Sequence, residues 1–305
     1  MKKIFNTIIV TLTLSALLLA GCGSAPQSTD NTLNVLASTT FLADIAQNVA
    51  GDRVQVQSLL PVGADPHAYQ AAPSDVSKIA NSDVLILNGL EYENFIEPLL
   101  ENAGGEHFII TATDGLTPNQ IESEEASGEM VADPHMWLDV NRATHYVENI
   151  RDGLIQADPE GAETYKANAT TYIAQLLDLD QWIWEQVQTI PAEHRLLVTN
   201  HEAMGYFAER YGFTVVGSIL PSFSSEAGVS AQEIAAAIES VKSSGAPAIF
   251  LGEVENTDLA DQIASETGVK VVNSLYLETL TAGEPAANYV DMMKHNVTEI
   301  VNGLK

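Results

Sequence analysis

Cysteine is nearly absent from this chain. Cys22 is the single one in 305 residues, so no disulfide can close within the chain and no cysteine cluster can hold a metal. Positive charge is scarce as well: 13 Lys and Arg stand against 41 Asp and Glu, a formal net charge of −28. A surface that negative repels nucleic acid and anionic substrates and concentrates cations. Solubility alone would also account for it, so the acidity excludes partners without naming one. Beyond the N-terminal segment no apolar run approaches the roughly 20 residues of a membrane-spanning helix. The hydrophobic share of 46% is nevertheless too rich for disorder and fits one large domain or two medium ones.

The cysteine has a particular context. Lys2 and Lys3 open the chain, Ile8–Leu19 is apolar but short for a mature spanning helix, and Ala20 and Gly21 are small. Residues 1–21 therefore read as a secretory signal peptide. The ending Leu19-Ala20-Gly21-Cys22 resembles a bacterial lipobox, in which cleavage leaves Cys22 as a lipidated N-terminus. An ordinary signal with an incidental cysteine is the plainer alternative. Residues 22–32, rich in Ser, Gln, Asp, Asn and Pro, read as a flexible lipidated tether. The expected location is the extracytoplasmic face of the cell membrane, held through a lipid anchor only.

From Leu33 onward short apolar runs alternate with helical patterns. Leu33–Ala37, Val54–Leu60, Asp83–Leu87 and Phe108–Ala112 read as strands, and Phe41–Val49, Pro73–Ile79 and Tyr92–Asn102 as helices. Pro118–Met130, polar and acidic, reads as a mobile loop. After a helix over Asn141–Gln156, the residues Tyr165, Ala169, Tyr172, Leu176, Leu179, Ile183, Val187 and Ile190 recur at steps of three and four, between Pro159 and Pro191. One helix over that span would run about 45 Å, a rigid connector laid across two lobes. The first rhythm then resumes. Strands are expected at Leu196–Thr199, Thr214–Ile219, Ala248–Leu251 and Val269–Val272, with helices at His201–Tyr211, Ser230–Ser243, Thr257–Thr267 and Tyr289–Leu304. The expected class is α/β: βα lobes with parallel sheets over residues 33–158 and 192–305, joined by one long connecting helix over 159–191. Such folds bind ligands outside the carboxyl ends of their strands.

Seven histidines are present, and two share a setting. His67 lies in Asp65-Pro66-His67 and His135 in Asp133-Pro134-His135, each in a loop after a strand pattern. Proline fixes the local φ, and the Asp can hold the loop or orient a ring nitrogen. Turn-closing Asp-Pro units with incidental histidines remain the bland alternative. His201 follows the strand Leu196–Thr199 directly, facing a strand-end cleft. Asn200-His201-Glu202 invites a zinc-peptidase reading, which fails because Gly205 stands where HExxH needs its second histidine. Three neutral imidazoles leave a divalent ion's charge uncompensated, so a carboxylate is expected to join them. Glu278, after the last strand, is the candidate, with Glu253, Glu255 and Glu226 as rivals. His107, His145, His194 and His295 read as structural or exposed.

These motifs in this order carry a resemblance. The lipobox, Asp65-Pro66-His67, Asp133-Pro134-His135-Met136-Trp137-Leu138-Asp139, Thr199-Asn200-His201-Glu202-Ala203-Met204-Gly205 and Tyr276-Leu277-Glu278-Thr279-Leu280 together resemble the zinc/manganese solute-binding proteins of ABC transporters. The similarity runs from Leu33 to Leu304. It implies two α/β lobes bridged by a long helix, with one metal ion between them held by His67, His135, His201 and Glu278. The family usually has Asp at the last position. It also implies an ABC transporter permease as partner and a carrier rather than an enzyme.

An N₃O donor set is borderline in softness, so Zn2+ is expected first and Mn2+ second. Four protein ligands leave no open position for a reactive water, which favours carriage over catalysis. The expected cycle is capture, docking and release by a monomer, gated by loop movement around His135 or Glu278. Two other classes stay open on sequence: an extracytoplasmic zinc hydrolase with three His and a base such as Glu278 or Glu202, and a lipid-anchored adhesin with a structural metal.

Overall fold

Short β-branched and leucine-rich runs pair as parallel strands here, and the amphipathic stretches between them cover the sheets. A computed structural model describes residues 33–122, 130–220, 230–252 and 257–305. The expected signal peptide, Cys22, the tether, the centre of the acidic stretch and the rivals Glu226, Glu253 and Glu255 lie outside the described residues. The first half runs β1 (Val35–Ala37), α1 (Thr40–Ala50), β2 (Val56–Ser58), α2 (Pro73–Ala80), β3 (Val84–Leu87), α3 (Ile96–Ala103) and β4 (Phe108–Thr111). Its sheet has the order β2-β1-β3-β4, parallel throughout. Next come a small hairpin, β5 (Gln120–Glu122) against β6 (Met130–Ala132), then α4 (Val140–Ala157) and α5 (Ala162–Val187). The second half runs β7 (Leu196–Thr199), α6 (Gly205–Tyr211), β8 (Thr214–Ser218), α7 (Ala231–Ser244), β9 (Ala248–Gly252), α8 (Thr257–Thr267), β10 (Lys270–Leu275) and α9 (Tyr289–Leu304). Its parallel sheet, read from the β8 edge, is β8-β7-β9-β10. Both sheets thus place their second, first, third and fourth strands side by side. The order reverses between the first and third strands, and the loops leaving those carboxyl ends splay apart into a crevice.

Each sheet is covered on both faces. The outer face of the first packs Leu36, Leu85, Ile79 and Leu99 beneath α2 and α3, and that of the second packs Val198, Ile249, Leu251, Ile238 and Ile263 beneath α7 and α8. The inner faces share one core. Phe41, Ile86 and Trp137 belong to the same buried cluster as Phe207, Phe250 and Tyr289, and α5 threads through it with Tyr165, Ala169, Tyr172, Leu176, Leu179, Ile183 and Val187. The long helix is 26 residues, about 39 Å at 1.5 Å per residue. Pro159–Gly161 forms a 3₁₀ turn before it, and Ile190 is buried beyond its end.

Three expectations need correction. The helix expected from His201 begins at Gly205, because Thr199 Oγ1 and Ala203 N both donate to the His201 carbonyl and close a turn there. The helix expected from Tyr92 begins at Ile96, since Ile96 N donates to Glu93 O three residues back and residues 92–95 close as turn. The loop expected over Pro118–Met130 contains a strand, Gln120–Glu122.

One segment binds the halves across the crevice. After β10, Leu277 O accepts from Trp137 Nε1 at 2.9 Å, Thr279 Oγ1 accepts from Gly63 N at 3.1 Å, and Leu280 N donates to Thr40 Oγ1 at 2.8 Å. Nearby, Tyr289 N at the start of α9 donates to Asp44 Oδ2 on α1 at 3.0 Å. Burial pushes the Asp44 carboxyl up to about 6, against the Tyr289 bond and with Asp291 adding to it. An acid raised in the folded state contributes stability below its unfolded value of 3.8 and loses it as pH rises through 6. Asp44→Asn, which keeps an acceptor for Tyr289, is therefore expected to stabilise the fold by about 2 kcal/mol at pH 7.5 and by almost nothing at pH 4. Urea unfolding at the two pH values measures this, and an equal gain at both would contradict the assignment.

Candidate metal centre

Asp-Pro-His builds the same turn twice. Asp65 Oδ1 accepts from His67 N at 2.9 Å, and Asp133 Oδ1 accepts from His135 N at 2.9 Å. The side chain of residue i thus caps the backbone of residue i+2 while proline sets the φ between them. In the second copy Asp133 Oδ1 also lies 2.9 Å from His135 Nδ1, which fixes the ring and aims Nε2 inward. The Asn88 amide braces that turn from β3 by donating to Pro134 O at 3.1 Å. His201 enters from the β7–α6 turn, and Glu278 from the segment stitched across the crevice.

All four residues converge. One nitrogen from each of His67, His135 and His201 and one oxygen of Glu278 lie within 4.8 Å of one another. Glu278 Oε1 is 3.3 Å from His135 Nε2, 3.4 Å from His201 Nε2 and 3.8 Å from His67 Nε2. The His135 and His201 nitrogens are 3.4 Å apart. Ligands at 2.0–2.1 Å around a tetrahedral ion stand about 3.4 Å apart, so three edges already match and the His67 edge is slightly long. His135, His201 and Glu278 are each at most 1% exposed. His67 Nε2 is buried with no hydrogen-bond partner, a costly state for a polar atom unless something completes it.

The electrostatics suit a cation. Burial opposes ionisation of Glu278, yet hydrogen bonding from the facing imidazoles outweighs it and holds the carboxyl well below the usual range. Burial likewise opposes a charge on His135, but Asp133 and Glu278 prevail and raise it. An ionised carboxylate and the imidazole protons facing it thus stand where a divalent ion would displace those protons. Tyr92 completes the wall. Burial, reinforced by the Glu278 charge, pushes its hydroxyl well above the ordinary value, so it stays a donor, and it donates a hydrogen bond to Glu278 Oε2 at 2.6 Å. Nothing in the sequence marks Tyr92. It follows Asn88-Gly89, a turn signal, but its partner lies 186 positions away. Its turn is strained, since left-handed backbone costs a non-glycine residue on the order of 1–2 kcal/mol, and Leu90 and Glu91 both adopt it.

The remaining histidines are engaged elsewhere. His107 Nδ1 lies 2.9 Å from Ser82 O, His194 Nδ1 3.2 Å from Leu304 O and His295 Nε2 2.7 Å from Ser274 O, while exposed His145 pairs with Glu148. Glu202 accepts from Ser218 Oγ at 3.4 Å and stands outside the four-donor group. No helix among the described residues is long and apolar enough to cross a membrane.

Comparison with known proteins places the chain in a family. Residues 35–303 match the family described as zinc-uptake complex component A, periplasmic. The manganese-binding lipoprotein MntA of Halalkalibacterium halodurans is 37% identical, with 100% of this chain and 99% of that protein aligned. The iron-binding protein YfeA of Yersinia pestis is 32% identical over 98% of this chain and 93% of its own. Among solved structures, the periplasmic zinc-binding protein TroA of Treponema pallidum superposes with a TM-score of 0.81 at 28% identity, covering 90% of this chain and 99% of that one. Two parallel sheets of matching strand order, a long helix shared by one core and this match over nearly the whole described chain agree on one assignment. The chain belongs to the zinc-uptake component A family, and is a divalent-metal-binding solute receptor of an ABC importer, not an enzyme.

Proposed function

We propose that His67, His135, His201 and Glu278 together hold one divalent transition-metal ion as cargo, which the protein delivers to the permease of its importer. The observation that carries this reading is the convergence of three imidazole nitrogens and one carboxylate oxygen within 4.8 Å, beside a His67 nitrogen buried without a partner. Four protein donors close a tetrahedron and leave no position for a reactive water. Zinc is the ion this set binds more tightly and manganese the second, following the Irving–Williams order. The manganese and iron in the relatives' names argue that the site accepts more than one ion. The protein works as a monomer, with lobes over residues 33–158 and 192–305 and the linking helix within 159–191. After removal of residues 1–21, lipidated Cys22 and the tether to residue 32 hold it at the extracytoplasmic face. The word lipoprotein in the name of the 37% identical relative supports the anchor.

Bracing decides which donor gates the site. Asp133 and Asn88 hold His135, and bonds on both sides of Glu278 tie it to the first half, so neither loop is the natural gate. His67 has the longest edge to Glu278 and belongs to residues 59–72, a stretch without helix or strand. We place the gate there. Ion binding draws His67 inward and its return opens the path. Hydrogen exchange, compared with and without zinc, is expected to slow most in residues 61–72 and least in 277–280. Uniform slowing would count against a His67 gate.

Competitive titration with zinc and manganese tests the cargo assignment. His67→Ala, His135→Ala, His201→Ala and Glu278→Ala should each weaken binding by more than about 100-fold, whereas Asp133→Ala, which removes only the brace of a ligand, should cost about 10–100-fold. Undiminished binding in His201→Ala would remove that residue from the set. The metal-free protein should stay folded, because most of the shared core is apolar packing along α5 that does not depend on the four donors; unfolding on metal removal would favour a structural ion.

A further inference from the structure

Glu93 is a buried carboxylate, 5% exposed, that stands outside the four-donor group. It accepts from Ser38 Oγ at 2.7 Å, from Asn88 N at 2.6 Å and from Gly89 N at 3.1 Å. These donors come from the end of β1 and from the turn leaving β3, the two strands that flank the crevice. The clamped turn is left-handed at three successive residues, with φ of 88° at Gly89, 56° at Leu90 and 60° at Glu91. Gly89 has a second constraint, since a Cβ there would come within 2.6 Å of the Thr111 side chain. Such a run persists only where its surroundings enforce it, and the Glu93 carboxylate grips its start.

The turn delivers Tyr92. Its ring packs against Trp137 at 5.0 Å and edge-on to His67 at 5.4 Å between centroids, and its hydroxyl sits on Glu278 Oε2. The other oxygen, Oε1, is the one facing the three imidazoles. A hydroxyl bound at Oε2 competes with an ion for that oxygen. Glu278 then meets the ion through Oε1 alone, giving a four-coordinate N₃O centre of the kind zinc prefers. With Oε2 released, the carboxylate can bind through both oxygens, which suits manganese with its taste for more oxygen donors.

We propose that Glu93 is a positioning residue for metal selectivity: it locks the 88–93 turn so that Tyr92 occupies one oxygen of Glu278 and biases the centre toward zinc. This rests on the reading that His67, His135, His201 and Glu278 hold the ion. A merely structural role for Glu93 would change stability but not the preference between ions.

The test uses the purified chain, Glu93→Gln and Tyr92→Phe. Gln keeps the shape of Glu93 but turns one acceptor oxygen into a donor facing other donors, and Phe removes only the hydroxyl. Zinc and manganese affinities are measured in competition, and zinc coordination is read by X-ray absorption. Both variants should shift the zinc-to-manganese affinity ratio about 10-fold toward manganese and add a second, longer Zn–O distance. An unchanged ratio and spectrum in either variant overturns the proposal, because the effect must pass from Glu93 through Tyr92. If Glu93→Gln does not fold, Glu93→Asp, which shortens the clamp but keeps its charge, is read by the same two outcomes. A parent chain that binds neither ion overturns the cargo assignment itself, whereas a parent that binds with an unmoved ratio in the variants overturns only the role of Glu93.

Discussion

An ionised carboxylate buried against three imidazoles is the interaction on which the rest of this structure depends. Glu278 is 1% exposed, and its Oε1 stands 3.3–3.8 Å from nitrogens on three separate loops. Burying a charge without compensation is prohibitive, so the surroundings must supply donors and hold them still. The chain does this by stitching the segment around Glu278 to the opposite half through Trp137, Gly63 and Thr40. Glu278 belongs to the second half by sequence and to the first by hydrogen bonding. The shared core along α5 joins the halves on a larger scale, since residues of both belong to one buried cluster.

Repetition explains how the other donors arrive. Two sheets of the same strand order carry strand-end loops that converge on the site: His67 after β2, His201 after β7 and Glu278 after β10. His135 is the exception, reached through the hairpin and fixed by its own aspartate. A protein that must hold an ion and then release it needs unequal bracing of this kind. His135 and the segment around Glu278 are braced by neighbouring bonds, and His67, on the loop of residues 59–72, stands slightly apart.

Much of this was legible in the sequence because it rests on local patterns. The period of three and four in Tyr165, Ala169, Tyr172, Leu176, Leu179, Ile183 and Val187 marks seven of the eight buried positions of α5, the eighth being Asp180, buried beside Arg210 and Tyr211. The duplicated Asp-Pro-His marks two of the histidines that converge, since its turn is made within three residues. The start of α6 at Gly205 rather than His201 was not legible, because side-chain and backbone bonds to one carbonyl decide it. The strand Gln120–Glu122 hides in an acidic stretch whose composition argues for loop. Tyr92 and Glu93 were invisible for a deeper reason. Their importance lies in contacts with Glu278 and Ser38, 186 and 55 positions away, and no periodicity encodes such distances.

Diffraction from crystals of the zinc-loaded chain, collected on both sides of the zinc absorption edge, is the most direct test. The account predicts one anomalous peak, about 2.0–2.2 Å from a nitrogen of each of His67, His135 and His201 and from Oε1 of Glu278. A peak lying elsewhere, or one contacted by fewer than three of those imidazoles, would contradict it.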